Sequence, residues 1–251
     1  MIRKRTEHIT LVLHTVVVFS WIVVATLFFG SLVICASFFS RKGDFPHLLA
    51  RCWANTILWV SGIRVTVKGS SNLDPGKSYI YMVNHQSNAD IPILLGRLPV
   101  QFRWLAKAEL FKVPILSHAM KGCGYISIDR SNRKSAFESL EKAAGTIRGG
   151  TSVLIFPEGT RSVDGEIRAF KKGGFVLAVD AGVPIVPIVI NGSWSIMPKK
   201  SLLIKSTQVE MHILNPITTI NYTRKTKDDL LEHVRDVITE HLEHLRGGKK
   251  A

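Results

Sequence analysis

Tyr79-Ile80-Tyr81-Met82-Val83-Asn84-His85-Gln86-Ser87-Asn88-Ala89-Asp90-Ile91-Pro92 reads as a buried strand that breaks into a turn and then a helix. The first five residues are apolar or aromatic, as in a strand covered on both faces. Pro92 suits the first turn of a helix, where its missing N–H costs nothing. His85 and Asp90 stand five positions apart. On a helix that spacing is about 500° of rotation and points the two side chains to different faces. Across a turn, the carboxylate can come back to the imidazole. It would then set which ring nitrogen carries the proton and stabilise the imidazolium formed when the other nitrogen accepts one.

That pairing suits a general base, and other chemistry is missing nearby. There is no G-x-S-x-G elbow, and none of Cys35, Cys52 and Cys123 belongs to a C-x-x-C pair, so neither a serine hydrolase nor a zinc site is indicated. A base without a protein nucleophile would activate a hydroxyl of the substrate. The same residues also read as an ordinary buried histidine followed by an aspartate that caps a helix.

Two further strand ends bear on the choice. Phe156-Pro157-Glu158-Gly159-Thr160-Arg161-Ser162 follows the apolar run Val153-Leu154-Ile155, and Gly124-Tyr125-Ile126-Ser127-Ile128-Asp129-Arg130 ends on an Asp/Arg pair. The planar donor fork of Arg161 matches phosphate oxygens. Glu158, an acceptor only, can take hydroxyl protons from the same ligand or hold Arg161 in place. Ligands in open α/β sheets bind outside the carboxyl ends of the strands, so His85/Asp90, Asp129/Arg130 and Glu158/Arg161 are expected to converge on one crevice. One base and two guanidiniums imply a phosphorylated alcohol.

The chain resembles the 1-acyl-sn-glycerol-3-phosphate acyltransferases of the glycerolipid acyltransferase superfamily. The resemblance rests on four blocks in family order: Asn84 to Asp90, Gly124 to Arg130, Phe156 to Ser162, and Val183-Pro184-Ile185-Val186-Pro187-Ile188. It implies an α/β fold with a mostly parallel sheet flanked by helices. It also implies transfer of a fatty acyl group from acyl carrier protein or coenzyme A to the sn-2 hydroxyl of lysophosphatidic acid, giving phosphatidic acid, with no cofactor and no metal. By the same resemblance His85 is the base and Asp90 its orienting partner. Arg130, Glu158, Gly159, Thr160 and Arg161 bind the glycerol phosphate, and Lys107, after another strand, adds a charge for the phosphate unless it is simply solvated. Alternatives are a sister enzyme acting on glycerol 3-phosphate or another lysolipid, a non-catalytic membrane-bound lipid or carrier-protein adaptor, and a metal-dependent hydrolase.

Composition agrees with an anionic partner. A formal charge of +14 favours anionic membrane surfaces, acidic proteins or nucleic acid. Nucleic acid is the weakest of these, because no arginine-rich tract, aromatic RNP-type motif or finger spacing is present. Three scattered cysteines fit a reducing compartment.

Ile9 to Phe39 contains no Asp, Glu, Lys or Arg, which is long enough to cross a bilayer, for which about 20 apolar residues suffice. The run is also longer than the apolar core of a signal peptide, about 7–15 residues. A retained anchor is expected, either spanning the membrane or forming a hairpin in one leaflet with an amphipathic segment, His47 to Ile63. Trp53 and Trp59 of that segment suit the interface. Residues 1–62 are therefore read as a membrane-embedded part and 63–251 as the acyltransferase domain. The active site is placed on the cytoplasmic face, the inner membrane if the source is bacterial.

Further along, Ile63-Arg64-Val65-Thr66-Val67 alternates as a strand. Ser131 to Gly149 is an amphipathic crossover helix with Phe137, Leu140, Ala143, Ala144 and Ile147 on its apolar stripe. Lys171 and Lys172 either meet the anionic donor or headgroup, or belong to a solvated loop. The double-proline run Val183 to Ile190 is expected at a sheet edge or bulge, lining an acyl channel. Thr226 to Leu245 reads as a packing helix whose His233, His241 and His244 face solvent.

Overall fold

The alternation of apolar and amphipathic runs folds into strands covered by helices. A computed structural model describes residues 2–40, 42–129, 133–198 and 201–247 of the chain. Its strands are β1 (Arg64–Lys68), β2 (Ile80–Val83), β3 (Arg103–Lys107), β4 (Ile126–Ile128), β5 (Val153–Ile155), β6 (Ile185–Asn191) and β7 (Gln208–Ile213). Its helices are α1 (Ile2–Ser37), α2 (Asp44–Val60), α3 (Asp90–Arg97), α4 (Leu116–Gly122), α5 (Arg133–Arg148), α6 (Gly173–Ala181) and α7 (Lys227–Gly247).

One sheet has the order β1-β7-β6-β2-β5-β3-β4. Every neighbouring pair is parallel except β6 with β7. β2 is central and fully buried, and its side chains divide with period two. Tyr79, Tyr81 and Val83 join an apolar cluster with α2 and α3, while Ile80 and Met82 join one with α5, α6 and α7. Helices therefore cover both faces, as a parallel sheet requires. The crossover helix α5 buries Ala143, Ala144 and Ile147 as its pattern predicts, but Phe137 is exposed beside the Arg224 guanidinium.

The double-proline strand corrects the sequence reading. β6 lies inside the sheet, between β7 and β2, and none of its residues lines the cavity described below. Along β6, Ile190 turns its N–H to Asn84, whereas Ile185 turns its N–H to Ile217 on the other side. By alternation, the nitrogen of Pro187 faces the β7 side. The β6–β7 register ends at Ile188 opposite Ile213, so the missing donor falls just beyond the ladder. The Pro187 carbonyl still accepts from Leu214 N at 3.0 Å.

α1 is one helix long and apolar enough to cross a membrane; its apolar segment runs Thr6–Ser37. Most of its large side chains, among them Leu13, Val17, Val23 and Phe28, face outward. A narrow inner stripe, Thr15, Val18, Ala25, Val33 and Ala36, is buried at helical spacing. Thr15 Oγ1 accepts from Ile204 N at 3.0 Å and fixes the helix to the chain before β7. α2 packs between α1 and α3, burying His47, Ala54, Ile57 and Leu58. Its two tryptophans separate: Trp59 is exposed, whereas Trp53 points inward and donates to Thr26 Oγ1 at 3.1 Å rather than facing an interface.

The candidate active site

Strand order brings the motifs together. β2 and β5 are parallel neighbours, so the turns that follow them emerge side by side at the same edge of the sheet. β3, which ends in Lys107, is next in line, and then β4. Arg130 lies outside the described residues; β4, the strand before it, ends at Ile128.

At the end of β2 the Asn84 side chain stands in for a peptide unit. Its Nδ2 donates to Ile190 O at 2.9 Å and its Oδ1 accepts from Ile190 N at 2.8 Å. The ladder with β6 thus ends satisfied, and the chain is free to turn. In the turn, Asp90 Oδ2 lies 2.8 Å from His85 Nδ1. The same oxygen accepts from Gln86 N at 2.8 Å and Ser87 N at 2.9 Å. Asp90 is the first residue of α3, forms no cap bond with that helix and is fully buried. The capping alternative therefore does not describe it. Because a carboxylate only accepts, Nδ1 is the donor in this bond, and the neutral form of the ring that keeps it has its lone pair on Nε2. The imidazole stacks on Phe156, with ring centroids 3.9 Å apart and planes at 12°.

The loop after β5 is bonded to the same turn. Ser162 N donates to His85 O at 2.8 Å. Gly159 N closes a turn onto Phe156 O, with Gly159 in the left-handed region at φ 72° that favours glycine. The two oxygens of Glu158 are taken by backbone donors, His85 N on Oε1 at 2.8 Å and Arg168 N on Oε2 at 3.1 Å. Burial pushes its carboxyl up to about 7, against the lowering effect of those two bonds, and the Asp90 charge adds to the rise. Through these two bonds Glu158 ties the His85 turn to the loop after β5.

His85, Lys107, Gly159, Thr160 and Arg161 line one cavity of about 550 Å³. Its remaining walls are almost wholly apolar, including Ile22, Phe29 and Val33 of α1, Trp53 of α2, Leu95 of α3 and Met120 of α4. Lys107 also pairs with Glu109 at 2.8 Å. Lys172 pairs with Asp228 at 2.7 Å on the side of α7. His241 is not solvated as its sequence context suggests, since its Nε2 lies 2.9 Å from His212 Nδ1 on β7. Among the described residues, no group of three or more His, Cys, Asp or Glu side chains is placed to hold a metal ion. Such an arrangement sets an imidazole, an arginine and apolar walls around one hollow.

Phe156 and Gln86 stand inside the quoted motifs yet carry no role on sequence grounds. Stacking on His85 and, for Gln86, a 2.6 Å bond from Nε2 to Gly165 O are visible only in three dimensions.

Comparison with known proteins follows the same lines. A family profile described as Acyltransferase matches residues 64–191. The chain is 33% identical over 201 residues to a chloroplastic 1-acyl-sn-glycerol-3-phosphate acyltransferase of Brassica napus, covering 79% of this chain and 56% of that one. It is 30% identical over 199 residues to the 1-acyl-sn-glycerol-3-phosphate acyltransferase of Borreliella burgdorferi, covering 79% and 80%. The chain thus spans about half the length of chloroplast relatives, 56% and 45% of two of them, and most of the bacterial one. The crystal structure of the 1-acyl-sn-glycerophosphate (LPA) acyltransferase PlsC from Thermotoga maritima is similar with a TM-score of 0.82 at 27% identity, over 95% of this chain and 97% of that one.

Proposed function

Because the chain belongs to the acyltransferase family, we propose that it moves a fatty acyl group from a thioester of acyl carrier protein or coenzyme A to the sn-2 hydroxyl of 1-acyl-glycerol 3-phosphate, giving phosphatidic acid. His85 Nε2 takes the hydroxyl proton as the oxygen attacks the thioester carbonyl. The tetrahedral intermediate expels the thiolate, which leaves with the proton held by the imidazolium. Asp90, on Nδ1, keeps the tautomer and balances the imidazolium charge. Arg161, together with Lys107 and Arg130, holds the phosphate, and Gly159 and Thr160 line its approach. Glu158 positions the base and the loop rather than the glycerol. Residues 1–62 form the membrane-embedded part, with α1 as anchor, and 63–251 the acyltransferase domain that faces the cytoplasm.

One observation carries the reading: an imidazole held 2.8 Å from a fully buried carboxylate shares a cavity with Arg161 and apolar walls that reach α1. Headgroup recognition, chemistry and chain accommodation are thereby contiguous. The test is thioester release and phosphatidate formation by the purified protein, with 1-acyl-glycerol 3-phosphate compared against glycerol 3-phosphate and other lysolipids, beside His85→Ala. A folded His85→Ala protein is expected to lose about 10²–10⁴-fold in kcat. Near-normal turnover by that variant would remove the mechanism, and a preference for another acceptor would remove the substrate.

A further inference from the structure

Gly165 sits in the loop after β5, and two side chains from opposite directions end on its carbonyl. Gln86 Nε2 donates to it at 2.6 Å from the catalytic turn, and Arg246 Nη2 donates at 2.7 Å from the last turn of α7. The other arm of the Arg246 fork holds Glu166 Oε1 at 2.9 Å. Gly165 has φ 88°, a conformation that strains any side chain, and a Cβ there would sit tight against Arg246 Nη2 at 3.3 Å and Trp194 Cγ at 3.4 Å.

The contact leads straight to the base. Gln86 is buried, and its own N–H is one of the donors that hold Asp90 Oδ2. A guanidinium, a carbonyl, an amide, a carboxylate and an imidazole therefore follow one another by hydrogen bonds or by the backbone of one residue. The same loop bonds to His85 O through Ser162 N and to Glu158 through Arg168 N. An internal hydrogen bond closes it, Gly165 N onto Ser162 Oγ at 2.9 Å, and Trp194 Nε1, from the segment after β6, donates to Val163 O at 3.3 Å. Arg246 is the outermost tie of this set and lies beyond residues 64–191, the part matched by the family profile.

We infer that Arg246 is a positioning residue for the acyl transfer proposed above: from the end of α7 it clamps the Gly165–Glu166 turn onto Gln86 and so holds the carboxylate-imidazole pair in register with the loop that carries Arg161. The inference rests on that functional reading for its kinetic consequence, while the clamp itself stands on geometry.

A bland role is also available to Arg246, since a cation in the last turn of a helix favours the helix. Lysine separates the two. Arg246→Lys keeps the charge at the helix end but replaces the two-nitrogen fork by a single point donor, which does not reproduce the paired geometry on Gly165 O and Glu166 Oε1. Arg246→Ala is expected to lower kcat about 10-fold, the worth of one charge-assisted hydrogen bond, with KM for 1-acyl-glycerol 3-phosphate within about twofold. Arg246→Lys should recover the melting temperature in full and kcat only in part. Gln86→Met, which removes the donor at similar volume, should lower kcat comparably, and the double variant should be no worse than the poorer single one, because both act through one carbonyl. Amide hydrogen exchange of the full chain supplies a readout that needs no turnover. The amides of Ser162, Gly165 and Arg168 should exchange faster in Arg246→Ala, with those of β6 unchanged. An unaltered kcat, losses that multiply in the double variant, or unaltered exchange in the loop would each overturn the inference. If the wild-type chain shows no transfer at all, the functional reading fails, and the exchange data still decide whether the clamp exists.

Discussion

Replacing Asp90 by Asn is the sharpest probe of the base. Three donors converge on Asp90 Oδ2: the His85 ring N–H and the backbone N–H groups of Gln86 and Ser87, all within 2.9 Å. An amide oxygen can take that place, and the two backbone donors oppose the flipped amide, which would turn its NH2 toward them. The NH2 then falls where Oδ1 lies, a buried position without a hydrogen-bond partner. Both the fold and the tautomer are therefore expected to survive. What disappears is the negative charge opposite the imidazolium that the proposed mechanism forms in the transition state.

Exchanging a charge-assisted bond at 2.8 Å for a neutral one, together with the lost charge–charge attraction, is worth about 2–4 kcal/mol in a buried site. That converts to a drop in kcat of about 30- to 1,000-fold. KM for the acceptor should stay within about threefold, because nothing that holds the phosphate changes. Stability should fall by only about 1–2 kcal/mol, since the backbone donors keep an acceptor. Steady-state kinetics of labelled acyl transfer, with a melting curve on the same preparation, measure all three. A kcat within threefold of wild type would refute the reasoning, as would a loss confined to KM.

Glu158, pushed up to about 7 against an ordinary value near 4.5, binds its proton more readily folded than unfolded. The stability this confers is full below about 4.5, declines as pH rises toward 7 and is absent above. The stability difference between wild type and Glu158→Gln should therefore shift against wild type by on the order of 3 kcal/mol between pH 5 and 8, and chemical denaturation giving a flat difference would contradict this. Ala119 of α4 lines the cavity among apolar neighbours, so Ala119→Phe should shorten the chains accepted without affecting the base. Competition between acyl chains of graded length reads this as a lower kcat/KM for the longest only, and equal loss at every length would place the chain elsewhere.

Much of the site was legible in the sequence because it is written in local pattern. A strand, a turn and Pro92 in a first helical turn suffice to return Asp90 to His85, and the run Phe156 to Ser162 repeats the strand-to-turn logic one strand away. The uncharged run from Ile9 to Phe39 likewise announces a long apolar helix. The role of Glu158 was not legible. Its motif position says only that a carboxylate is there, and that both oxygens face backbone N–H groups depends on how two loops lie against each other.

What the sequence by itself determined is therefore local: where most of the strands and helices lie, which faces are apolar, and which strand ends carry carboxylate, imidazole and guanidinium. Tertiary structure alone decided the order of the strands. It seated the double-proline strand β6 inside the sheet beside β7, a strand whose sequence announced nothing, and made neighbours of β2 and β5. It also turned Ile22, Phe29 and Val33 of α1 and Trp53 of α2 toward the cavity and brought Arg246 onto Gly165. Hydrophobic periodicity records that a face must be buried but not what buries it, and that partner is settled only when all the apolar faces of the chain are covered together.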